Sequence, residues 1–350
     1  MIPAPLRSSV CRIADLDGAV LRRADRATWA LGDYVVGEVV GHVGPGRGVE
    51  LETGRMARLS PGDRVVGALG DRAATLEVTG RWSDVGADGR MHLLTSGGLI
   101  GKVASRSPLV APAVDLVYAG HLFRGDERLS MAGAVPGGSA AALELPVILI
   151  VGSSMSAGKT ESARVLIRIL RRTGLRVLAA KLTGAARYRD VLSMADAGAI
   201  AHFDFVDAGL PSSVCSEPVY VQAIEGLFAR MARVPADVAV IEAGASPLEP
   251  YNGAAITRLL RDQLRLVVLC ASDPYAALGI TEAFAGVPVD VVAGIACNTD
   301  AGRQLVRKLT GLPALRLIGP GPHLELEAIL REAGLLGPGD GGARVPAQEA

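Results

Sequence analysis

The stretch VGSSMSAGKT, residues 151–160, sets a lysine and a threonine directly behind a loop of small residues. Gly152 follows the apolar run VILIV, Ser153 to Ala157 fill the loop, and Lys159-Thr160 open a segment with helical spacing. The main-chain N–H groups of such a loop and of the helix N-terminus point into one enclosed space, an anion site suited to a di- or triphosphate. There Lys159 reaches the β- and γ-phosphates and Thr160 ligates Mg2+. The nucleotide site is therefore expected to run through Gly152, Ser153, Ser154, Met155, Ser156, Ala157, Gly158, Lys159, Thr160 and Glu161. Its spacing is unusual: five residues separate Gly152 from Gly158, and Ser153 stands where a first glycine is expected.

Lysine usage sharpens this reading. Only Lys102, Lys159, Lys181 and Lys308 are lysines among 36 basic residues. A compact ammonium suits a phosphate cradle better than a planar guanidinium fork does. Short apolar runs recur at 147–151, 176–180, 237–241, 264–271, 289–297 and 313–318. They do not alternate, as expected of strands buried on both faces. Between them lie helical stripes such as Ala163, Leu166, Ile167 and Leu170, with Arg168, Arg171 and Arg172 opposite and Gly174 closing the helix. The alternation predicts an α/β fold, a doubly wound, mostly parallel sheet over residues 146–335. In such a sheet ligands bind along the edge made by the C-terminal strand ends. The runs end in GSSMSAGKT, KLTG, EAGASP, SDP, NTD and GPGP, which sets Lys181, Glu242 and Asn298 at equivalent ends.

Residues 1–130 have a different rhythm. Gly, Val and Thr dominate, with turn signals about every ten residues, so a smaller all-β barrel or sandwich domain is expected. GDYVVGEV at 32–39 recurs as GDRVVGAL at 62–69, a weak repeat in which Gly-Asp turns and Val-Val begins a strand. A Pro-, Gly-, Ser- and Ala-rich linker follows over 131–145, and residues 336–350 are expected to be a disordered tail.

Lys+Arg and Asp+Glu both total 36, so no net charge recruits nucleic acid or an anionic membrane. Charges at Arg7, Arg12, Asp15, Asp17, Arg22, Arg23 and Asp25 interrupt any signal-peptide core, and the expected location is the cytoplasm. Cys11, Cys215, Cys270 and Cys297 show no CxxC pairing, which argues against a zinc site or a disulfide framework. Cys270 and Cys297 lie in apolar runs and read as small core residues. Asp204, Asp207 and the FVDAGLPSSV loop are candidates for a substrate pocket, or a solvent-facing turn. Glu249, Tyr251 and Asn252 either line the same cleft or cap the helix from Ala254.

At these residues the chain resembles dethiobiotin synthetase and its cobyrinic-acid-synthase-type relatives among the P-loop NTPases. That family's loop has the same five-residue spacing before Gly-Lys-Thr. The resemblance implies that Lys181 binds substrate, with Thr183 and Gly184 beside it in AAKLTG. It implies that Asp196 in SMADAGA and Glu242 in VIEAGASP join Thr160 around Mg2+, and that Asn298, Gly319 and Pro322 cradle the adenine of ATP. It covers residues 146–335 and none of the β half. Ala243 replaces a glycine, and the loop interior is serine-rich.

The implied chemistry is attack of a substrate oxygen on the γ-phosphate of Mg·ATP. Lys159, Lys181 and Glu242 are then the catalytic residues, and Lys181, Thr183, Asp207 and Asn252 the substrate contacts. A small acidic or hydroxylated metabolite is the expected partner, with a kinase or a carbon–nitrogen ligase working through an acyl or carbamoyl phosphate as outcomes. A nucleotide-driven switch acting on a protein partner and an acyltransferase with a nucleotide-bearing donor are the alternatives. A homodimer is expected.

Overall fold

The computed structural model describes residues 4–44, 46–137, 141–284, 288–319 and 324–337. The tail from 338 onward and Pro322 therefore lie outside the described residues.

In the N-terminal half, β1 (Tyr34–Val39), β2 (Arg64–Leu69), β3 (Arg90–Leu93), β4 (Leu99–Arg106) and β5 (Val114–Arg124) close on themselves. The order is β2-β1-β5-β3-β4, and β4 pairs back onto β2 in parallel, so the strands form a closed barrel. Closure removes the exposed edges a flat sheet would carry. The repeat seen in the sequence is real geometry. β1 and β2 are antiparallel neighbours, and Val36 pairs with Val66, its own counterpart in the repeat. Gly32 N donates to Leu69 O at 2.8 Å and Gly62 N to Val39 O at 2.9 Å, equivalent bonds on the two sides of that pair. Asp33 and Asp63 likewise each accept from the backbone amide three residues earlier, at 2.8 and 2.7 Å.

Among the described residues the C-terminal half is a six-stranded parallel sheet built from β6 (Val147–Gly152), β7 (Val177–Thr183), β8 (Ala201–Asp204), β9 (Val238–Ala243), β10 (Leu264–Cys270) and β11 (Val291–Ala293). Their order is β8-β7-β9-β6-β10-β11. All residues of β6, β7 and β9 are buried, which is why these segments carry no polar alternation. Helix α1 (Lys159–Arg172) lays Ala163, Leu166, Ile167 and Leu170 on the sheet and leaves Arg168, Arg171 and Arg172 outside. Helix α2 (Tyr188–Asp196) follows β7. Together, the sheet and the loop between β6 and α1 make a P-loop NTPase fold.

One expectation about the strands needs correction. The run at 313–318 makes only a one-residue bridge, Ala314 to Val292. Pro313 has no N–H to donate, which limits the ladder there. The sixth strand is instead Ala201–Asp204 at the opposite edge, where a half-exposed strand needs no apolar run. On either side of residues 138–140, which lie outside the described residues, Met131 is fully buried in a helical turn and Leu143 is buried as well.

The two halves share a core. One apolar cluster runs from Val10, Leu16, Tyr34, Val36 and Met131 to Leu149, Leu182, Phe205 and Ile241. Polar ties reinforce it. Arg12 pairs with Asp204 at 2.6 Å and Asp207 at 3.0 Å, Ala73 N donates to Tyr251 Oη at 2.9 Å, and Thr75 Oγ1 donates to Glu249 at 2.6 Å.

Candidate functional site

The loop after β6 is tied down from both sides. Ser153 N donates to Cys270 O at 3.0 Å, and Ser153 Oγ accepts from Ser272 N at 3.0 Å, anchoring its first residue to the end of β10. On the other flank Ile295 N donates to Ala157 O at 3.3 Å. Gly158 caps α1 with φ +96°, in the left-handed region that favours glycine. Lys159 is almost fully buried, and its Nζ donates to Ser154 O at 2.6 Å, so the side chain folds back across the loop. Burial holds its ammonium below the ordinary lysine value, an effect Glu242 offsets only in part. A buried cation with one carbonyl partner, beneath the amides of a helix N-terminus, fits an anionic phosphate.

Thr160 Oγ1 donates to Glu242 Oε2 at 2.9 Å, joining α1 to the end of β9. Among the described residues no group of three His, Cys, Asp or Glu could hold a metal. One hydroxyl and one carboxylate make the donor set of a Mg2+ that arrives with phosphates and keeps several waters, so these residues fit that ion.

Lys181, expected just after β7, lies within it, buried, and its Nζ is hydrogen-bonded to Asp190 of α2. Burial pulls its pKa down, and Asp190 and Glu242 outweigh that pull, so the ammonium stands above its ordinary value. A Cβ at Gly244 would lie 2.7 Å from Lys181 Cε and 2.2 Å from Thr183 O. The glycine this strand end requires is thus Gly244, one residue beyond Ala243. Lys159, Thr160, Glu161, Lys181, Asp190 and Glu242 all line one cleft of about 510 Å3. Its opposite wall is the barrel unit, which contributes Arg47, Arg72, Leu93, Thr95 and Val114. With Arg187 and Arg189, six cationic residues line this cleft among the described residues, Arg72 of them paired with Glu77. Burial, then repulsion from Arg106 and Arg72, holds Arg47 below the usual arginine value.

Other expected residues lie elsewhere. Asp196 is exposed at the C-terminal end of α2, outside the cleft, and is corrected as a metal ligand; Asp190, at the helix's other end, is the carboxylate that enters the site. Asp207 lines a separate recess with Arg12, Glu52, Thr53 and Tyr188. Asn252, at φ +60°, donates to Ser213 O at 2.8 Å and Cys215 O at 3.0 Å and braces a loop. Thr183 is buried beside the cleft, with its hydroxyl unpaired. Asn298 is exposed and follows the turn whose first amide bonds Ala157 O. Ile318, next to Gly319, packs within reach of Gly158, so both segments flank the loop on the side away from Lys181. Burial pushes the Cys270 and Cys297 thiols up to about 12 and about 11, in line with core roles. Sequence reasoning missed Asp190 and the barrel arginines. Asp190's only signal is its position in the first turn of the helix after Lys181.

No protein-family model matches the chain, and no curated protein does. Solved structures resemble part of it. A chloroplast FtsY from Physcomitrella patens is 19% identical, covering 53% of this chain and 61% of its own, with a TM-score of 0.37. HypB from Helicobacter pylori, in complex with nickel, is 14% identical over 54% of this chain and 86% of its own, at 0.35. A DUF1611 family protein from Anabaena variabilis is 19% identical over 56% and 62%, at 0.36. Nucleotide binding rests on the loop and strand geometry above, not on these distant likenesses.

Proposed function

We propose that the chain is a nucleotide- and Mg2+-dependent phosphoryl-transfer enzyme acting on a small acidic metabolite, akin to the dethiobiotin-synthetase-type enzymes. The carrying observation is that a second buried lysine, Lys181, held by Asp190, shares one cleft with Lys159 and the Thr160–Glu242 pair. Nucleotide hydrolysis alone gives no reason to bury a second ammonium, whereas an anionic co-substrate does.

In this reading the loop amides and Lys159 hold the β- and γ-phosphates, and Thr160 and Glu242 hold the cation. The bound cation supplies charge neutralisation at the transferring group. Lys181 orients an acidic group of the co-substrate, and Arg47, Arg72, Arg187 and Arg189 draw it in. The barrel forms the wall facing the nucleotide loop, and water held off on that side would favour transfer over hydrolysis. A phosphorylated metabolite makes this a kinase; an acyl or carbamoyl phosphate opened by a nitrogen nucleophile makes it a ligase.

Single-turnover reactions with γ-labelled ATP and GTP and a panel of small acids and alcohols test the proposal. Label in a small molecule supports it. Label released only as phosphate, faster with a protein partner, favours a nucleotide-driven switch and overturns the transfer reading.

A further inference from the structure

The first amides of a helix need acceptors, and α2 has no side-chain cap of its own. Its N-cap residue is Arg187, whose side chain makes no capping bond. The acceptor comes from the barrel unit. Glu50, fully buried, accepts from Tyr188 N at 2.6 Å through one carboxylate oxygen and from Arg189 N at 2.9 Å through the other. Ser9 Oγ holds the carboxylate from behind at 2.7 Å. A carboxylate suits this end of the helix dipole.

Glu50 ends the first arm of a hairpin, Gly48–Glu50 paired with Met56–Arg58. That hairpin touches α2 again further along, where Gly54 sits so close to Leu192 that an added Cβ would come within 2.3 Å of Leu192 Cδ1. The same hairpin gives Gly48 and Met56 to the cleft. Directly after the two capped amides, in the same first turn, α2 carries Asp190, the partner of Lys181. A continuous path of direct contacts therefore leads from the barrel through Glu50 and α2 to Lys181. None of the contacts on this path involves the Lys159 loop.

We propose that Glu50 is a positioning residue: by capping α2 from the other unit it fixes Asp190 and, through it, the aim of Lys181. The inference rests on the transfer reading for its kinetic arm only. Glu50→Gln keeps the shape but leaves one acceptor oxygen for two amides.

In the full chain, E50Q is expected to speed hydrogen exchange of the 187–196 segment at least about tenfold. Exchange of the barrel strands is expected to stay as in the wild type. With the nucleotide saturating, kcat for transfer is expected to fall about tenfold while the KM for nucleotide is unchanged. Ser9→Ala, which removes the hydroxyl that donates to Glu50 and, at 3.2 Å, to Gly97 O, is expected to give the same pattern more weakly, and it decides the matter if E50Q does not fold. Unchanged exchange at 187–196, or nucleotide affinity lost in step with kcat, overturns the inference. If no small molecule accepts label even with the wild type, the transfer reading fails, and the exchange measurement still decides the cap.

Discussion

Thr160 and Glu242, 82 residues apart in sequence, meet at 2.9 Å where α1 begins and β9 ends. The hydroxyl and carboxylate expected to share a divalent ion are thus brought together by the sheet itself. Glu242→Gln is expected to lower turnover about 100-fold and to raise the Mg2+ concentration needed for half-maximal rate. A titration of rate against Mg2+ checks this, and an unshifted midpoint removes Glu242 from the metal site.

Lys159 is held over the loop by a single carbonyl. Lys159→Ala is expected to weaken nucleotide binding and turnover by about 100-fold or more, because the phosphates lose their only buried cation on the loop. Equilibrium binding of a fluorescent nucleotide measures it; affinity equal to the wild type sinks the loop assignment.

Lys181 and Asp190 form one unit, so their variants are expected to resemble each other. Lys181→Met should lower kcat about 100-fold while leaving nucleotide affinity within about threefold, and Asp190→Asn should lower kcat about tenfold. The double variant is expected to be no worse than Lys181→Met alone, since the interaction can be lost only once. Additive losses would show that the pair does not act together.

At the far end of the sheet, hydrogen bonds from the Arg176 side chain and backbone hold the Asp237 carboxyl down at about 2. A carboxylate whose pKa is depressed on folding adds stability above its unfolded value, and that contribution disappears as the pH falls through the folded value. Asp237→Asn is therefore expected to lower Tm slightly at pH 7, by an amount that shrinks from about pH 4 downward and vanishes near pH 2. Thermal melts of both proteins across that range test the sign. A gap that widens on acidification contradicts it.

Much of the molecule is legible in its sequence because it is local. A strand, five loop residues and Gly-Lys-Thr lie within one stretch of chain, and the GDxVVG repeat marks β1 and β2 as equivalents without any knowledge of their pairing. The failures have physical causes. Asp190 and Asp196 stand six residues apart on one helix, about 240° around its axis, so only one can face the cleft. Sequence pattern does not say which face meets Lys181. The edge strand at 201–204 is short and half-exposed, and so lacks the apolar run that marks its neighbours. Glu50 acts across 138 residues of chain, a separation at which no periodicity carries information.

The apolar cluster that crosses from barrel to sheet has a practical consequence. Divided near residue 145, the chain would yield two fragments each presenting a raw greasy face: Tyr34, Val36 and Met131 on one, Leu182, Phe205 and Ile241 on the other. Neither piece is an independent module. The molecule should melt in a single step, and a fragment trimmed to the nucleotide-binding half should aggregate rather than yield a minimal catalytic core.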